Sequence, residues 1–268
     1  MRERPDARPG VPCWIETLQP DPRAAARFYR ELLGWQVDEP APMPAGMAGE
    51  YLTARLDGRL VAGIGQAPAG TPSALWTSYV AVERIEAALA RVAAADGSAI
   101  AGPLEAGAAG RGAIVADPDG VAFGLWQAGA RAGAELVDAP GAWTISVLHT
   151  PAGERAAAFY GALLGWRLEP LAGTPLAAWR LPGAAVRPPG GALPADVVAL
   201  LSPIEPGSAV PPHWAVALAV ADADATAARA TALGGAVLLA PSDGNGLRSA
   251  LIADPQRGVV AISGPAAG

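Results

Sequence analysis

The sequence predicts an α+β protein built from two tandem modules of one plan. Three observations carry this. Segments recur in the same order at a nearly constant offset. Helix caps and turn residues separate short apolar runs from stretches with helical spacing. Of the 268 residues, 51% are hydrophobic and only 16% charged, enough apolar material for substantial cores.

The repeat is explicit. Residues 24–36 read AAARFYRELLGWQ and residues 155–167 read RAAAFYGALLGWR. Phe28-Tyr29 therefore recurs as Phe159-Tyr160, and Leu32-Leu33-Gly34-Trp35 as Leu163-Leu164-Gly165-Trp166. Residues 80–103 answer 218–241, and AIVADPDG at 113–120 answers ALIADPQR at 250–257. These blocks divide the chain into a first module, 1–132, a linker, 133–141, and a second module, 142–268.

Each element has a local reason. A strand at 15–18 precedes Asp21-Pro22, an N-cap followed by proline at the first helical position. Ala25, Phe28, Tyr29, Leu32 and Leu33 then fall at helical spacing, and Gly34 ends the helix. Strands follow near 51–56, 60–66 and 75–82. A second helix over 85–95 stops at Gly97, and strands at 99–102, 112–116 and 121–127 close the half. The second half repeats this with strands near 143–149 and 212–220 and helices near 153–164 and 223–233. It also carries about twelve extra residues at 184–195, AAVRPPGGALPA, readable as a surface insertion or as a lid over a cleft.

Composition removes several chemistries. All 19 basic residues are arginine, so Schiff-base chemistry, pyridoxal phosphate attachment and a phosphate-loop lysine are excluded. The net charge of −6 lacks like-charge blocks, which argues against nucleic acid. Cys13 has no partner cysteine, and only His149 and His213 supply imidazoles. The N-terminus has no apolar signal-like run, and no uninterrupted apolar stretch of about 18 residues occurs. The expectation is a cytoplasmic protein without a membrane partner or cofactor.

The FY..LLGW helix end, the V-x-x-(I/A)-(E/D)-A helix start and the A-D-P-(D/Q) loop together resemble the vicinal oxygen chelate superfamily of glyoxalases, bleomycin-resistance proteins and extradiol dioxygenases. The resemblance spans nearly the whole chain. It implies paired βαβββ units in each module, forming a curved mixed sheet around a cleft. Because tandem modules supply in one chain what single-module members build as dimers, it also implies a monomer or weak homodimer.

In metal-dependent members, ligands come from the first strand of each unit and from the closing strand, as His or Glu. The matching positions here are Trp14, Thr77 and Gly124 in module 1, and Ile145, Ala215 and Ala261 in module 2. None is a recognised ligand, so no metal site is expected. Alternation along the strands instead places Trp14, Glu16, Thr77, Tyr79 and Trp126 on the module 1 cleft face, with small residues at 77, 122 and 124 leaving room. This is read as an aromatic-walled ligand site in which Glu16 is the one carboxylate, a candidate acid or base. The competing reading is that Trp14 and Trp126 fill the module core. His149 and His213 are further candidates, for ligand contact and tentative acid–base work respectively, against a structural role for each. Three functions follow: metal-independent binding of a small aromatic or apolar molecule, a metal-free isomerase or cyclase using Glu16 or a histidine, or a structural protein with vestigial clefts.

Overall fold

The computed structural model describes residues 8–44, 46–186 and 193–266. Four βαβββ-type units follow one another. The first runs β1 (Pro12–Gln19), α1 (Pro22–Leu33), the short β2 (Gln36–Val37) and β3 (Ala41–Pro42), β4 (Glu50–Leu56) and β5 (Arg59–Gln66). The second runs β6 (Leu75–Ala81), α2 (Ile85–Ala94), β7 (Ser98–Glu105), β8 (Gly110–Ala116) and β9 (Ala122–Ala128). The third comprises β10 (Trp143–Thr150), α3 (Gly153–Leu164), β11 (Arg167–Pro170), β12 (Ala177–Arg180) and β13 (Val197–Pro203). The fourth comprises β14 (His213–Ala219), α4 (Ala223–Ala232), β15 (Ala236–Gly244), β16 (Leu247–Ala253) and β17 (Val259–Pro265).

Capping sets the helix starts. The Asp21 carboxylate accepts from the Ala24 amide at 2.9 Å with Pro22 behind it, and Asp222 does the same for Ala225. Gly34 and Gly165 end α1 and α3 at φ of 76° and 73°, a left-handed conformation that costs glycine little. Sequence periodicity missed the short β2 and β3, since two-residue strands carry no pattern to detect.

Two mixed sheets result, with the same topology. The first has the order β2-β4-β5-β1-β6-β9-β8-β7, with β3 on β4, and the second β11-β12-β13-β10-β14-β17-β16-β15. In each, the two first strands meet antiparallel at the centre, β1 with β6 and β10 with β14, while β5, β9, β13 and β17 add parallel to them. No helix among the described residues is long and apolar enough to cross a membrane.

The helix-bearing faces of the two sheets pack against each other, and this mixes the cores. One core joins Ile15, Phe28, Trp35 and Ile64 of module 1 to Val216, Leu218, Ile252 and Ile262 of module 2. The other joins Ile85, Val115 and Phe123 to Leu148, Phe159, Trp166 and Trp179. The repeated motifs build the seam. Tyr29 donates to Asp254 at 2.9 Å and Tyr160 to Asp117 at 3.1 Å, so each FY tyrosine reaches the ADP loop of the opposite module. The Trp35 and Trp166 indoles donate at 2.7 Å to the carbonyls of Gly141 and Gly10, again across the seam.

Candidate functional site

The faces turned away from the helices are the clefts. In module 1, the register sets Trp14 beside Tyr79, Glu16 beside Thr77 and Gly63, and Tyr79 beside Gly124. At its centre is Glu16, buried, with each carboxylate oxygen held by a phenol. Tyr79 donates to Oε1 at 2.5 Å and Tyr51 to Oε2 at 2.9 Å, while the Trp14 indole donates to the Tyr51 oxygen at 3.1 Å. Burial pushes the Glu16 carboxyl above its ordinary value, and the hydrogen bonds from Tyr79 and Tyr51 only partly offset this. Both phenols are themselves pushed well up, first by burial and then by the Glu16 charge, so they stay protonated and donate.

Two glycines make this cluster possible. A Cβ at Gly124 would collide with the Tyr79 ring, and one at Gly63 with the Tyr51 hydroxyl. The room expected at Gly124 is therefore filled by Tyr79. Trp14 and Tyr79 are buried rather than lining open space, and the half-buried Trp126 packs against the same core and donates to the Arg131 carbonyl at 2.9 Å. Thr77 stays half-buried on the cleft face, beside the 53%-exposed Leu75 two residues before it and the exposed Ala122. The sequence reading missed Tyr51. Its signal was the glycine pair at 63 and 65, which leaves a gap on β5 for a large side chain from β4.

Module 2 differs in kind. Its cleft face presents Ile145, Val147, Ala178, Ala215, Ala217, Leu200 and Ala261, joined by Leu193 from the end of the insertion. The arms of the insertion pair through Leu181 to Asp196 and Val186 to Ala195, both at 2.9 Å; its tip, 187–192, where the lid reading falls, lies outside the described residues. His149 and His213 sit opposite each other on β10 and β14 and stack, with ring centroids 4.7 Å apart and planes 11° apart. His213 Nδ1 lies 2.9 Å from the Pro211 carbonyl.

Burial, and then the neighbouring His213, lower the His149 pKa to about 4. Between that value and the ordinary 6.5 the unfolded chain binds a proton that the folded chain refuses. His149 thus supports the fold fully above pH 6.5 and withdraws that support as pH falls toward 4. The urea midpoint should drop over this window, and His149→Gln should flatten that part of the profile. An unchanged profile in the variant would contradict the assignment.

The family signature described as the Glyoxalase/Bleomycin resistance protein/Dioxygenase superfamily matches residues 14–125, and a glyoxalase-like domain signature matches residues 147–259. The chain belongs to this superfamily. It is 36% identical over 273 residues to "Putative glyoxylase CFP32" of Mycobacterium tuberculosis (strain CDC 1551 / Oshkosh), covering 99% of each chain. It is also 36% identical over 268 residues to "Anthracycline biosynthesis protein DnrV" of Streptomyces peucetius, covering 92% of this chain and 90% of that one. Among solved structures, the Mn(II)-bound glyoxalase of Novosphingobium aromaticivorans shares the fold at a TM-score of 0.63 and 18% identity, over 98% of this chain and 83% of that one.

A metal ion of the superfamily's kind does not fit these clefts. The six corresponding positions hold indole, hydroxyl, hydrogen and alkyl groups, none of them imidazole or carboxylate, and the Tyr79 ring covers Gly124. Among the described residues, no three His, Cys, Asp or Glu side chains gather where they could hold an ion.

Proposed function

We propose that this superfamily member binds a small, largely apolar organic molecule of natural-product type in a cleft, without a metal ion. The observation that carries the reading is the exchange of metal-ligand positions for a packed Trp14–Tyr51–Glu16–Tyr79 cluster in module 1 and for aliphatic side chains in module 2. Such surfaces gain from excluding water and use a few fixed polar groups for orientation. The relative named for anthracycline biosynthesis supports a polycyclic or similar ligand. A second reading, acid–base catalysis without metal, is favoured by one observation, the buried carboxyl of Glu16 with its raised pKa.

Native mass spectrometry of freshly isolated protein tests this. An organic adduct should persist after dialysis against EDTA and be lost in Trp14→Ala, with circular dichroism confirming the fold. An adduct that leaves with a stoichiometric metal would overturn the reading. Glu16→Gln then separates the two functions. A binder loses modest affinity, whereas an acid–base enzyme loses turnover by about a hundredfold or more with binding largely kept.

A further inference from the structure

The segment between the modules borders a concavity that is open to solvent on one side. Leaving β9, it is pinned by the amides of Gly129 and Arg131 to the Ala109 carbonyl and by Ala130 to Ala108, at 2.8–3.1 Å. Beyond an arch at Ala132 and Gly133 it is pinned again, Ala134 to the Cys13 carbonyl and Glu135 to Leu60, both at 2.8 Å. Beside the arch lies a half-open cavity of about 460 Å³, lined by Leu60, Ala109 and the alanines of the segment itself. That volume suits a small organic molecule.

Two charged groups line it. Glu135 is already engaged, its Oε2 accepting from the Leu60 amide at 2.8 Å. Arg131 holds its guanidinium 5.4 Å over the Trp14 ring, and no carboxylate pairs with it among the described residues. A guanidinium on an indole keeps its charge and leaves its in-plane N–H donors unused. Nor do the amides of Ala132 and Gly133 donate to any protein acceptor among the described residues.

We infer that this cavity binds the carboxylate of a small aromatic acid through Arg131, its apolar body lying along Leu60 and the alanine walls. The inference deepens the proposed function, on which it rests, by giving the ligand a negative charge. Arg131 sits over the ring of Trp14, a buried member of the Glu16 cluster, so a ligand held by Arg131 lies one side chain away from that cluster.

The test uses the full chain and two probes of one shape, 2-naphthoate and neutral 2-naphthamide, titrated calorimetrically at low salt. Naphthoate should bind about tenfold or more tighter than naphthamide, an advantage that added salt erodes. Arg131→Gln should bring the two within about twofold while leaving naphthamide affinity unchanged, which also reports an intact fold. Arg131→Lys should keep most of the preference, and Glu135→Gln should strengthen naphthoate binding by removing a like charge. Equal binding of the two probes to the native chain, or a preference that survives Arg131→Gln, overturns the anion site alone. Failure of both probes to bind overturns it together with the apolar-ligand reading.

Discussion

Residues 8–132 and 142–266, each produced alone, should show no cooperative unfolding transition, whereas mixing them should restore one. The reason lies in the mixed cores. Ile15, Phe28 and Trp35 face Val216, Leu218 and Ile252, and Phe123 faces Phe159 and Tyr160. Each large apolar side chain returned to water costs about 1.5–3 kcal/mol, so losing half a dozen costs about 9–18 kcal/mol, as much as the roughly 5–15 kcal/mol that holds a domain folded. Near-ultraviolet circular dichroism during urea titration reads the outcome. A sharp transition in either isolated half would show that a module carries its own core.

Asp254→Ala should destabilise the chain by about 4 kcal/mol, a large single-residue effect. One carboxylate oxygen accepts from the amides of Gln256 and Gly258, at 2.9 and 2.8 Å. The other accepts from Gln19 and Tyr29 of the opposite module, at 2.7 and 2.9 Å. Alanine leaves all four donors without that acceptor in a site from which water is largely excluded. Tyr29→Phe, which removes one donor and leaves the carboxylate three, should cost about 1–2 kcal/mol. Equilibrium urea unfolding of both variants and their double gives the coupling. Additive losses would mean that the phenol and carboxylate do not act as a unit.

The fold was legible because its signals are local. The Asp21-Pro22 cap, the helical spacing of Phe28 and Leu32, and the recurrence of LLGW each lie within a dozen residues, and tandem copies make each signal count twice. The module seam was illegible for the opposite reason. Tyr29 and Asp254 are 225 residues apart, and Asp117 by itself shows only a turn residue capping nearby amides. Alternation puts Trp14, Glu16, Thr77 and Tyr79 on one face, where the register sets Trp14 beside Tyr79 and Glu16 beside Thr77. It could not tell whether a small residue there is open space or a seat for its neighbour, and Gly124 is a seat. That distinction depends on the Tyr79 rotamer and on Tyr51 arriving from β4, neither of which a strand pattern encodes.

The seam between the sheets has a consequence for how such a chain diversifies. Because both sheets turn their helices inward, the two clefts open toward opposite sides of the molecule, and one small molecule cannot touch both. The seam repeats almost symmetrically, tyrosine to aspartate and indole to carbonyl, while the outward faces share hardly a residue: Trp14, Glu16, Tyr79 and Gly124 stand against Ile145, Val147, Ala217 and Ala261. The inner surface thus carries the same pairings twice, each module depending on the other for them. Each outer surface is left insulated, so that a substitution on one leaves the other undisturbed.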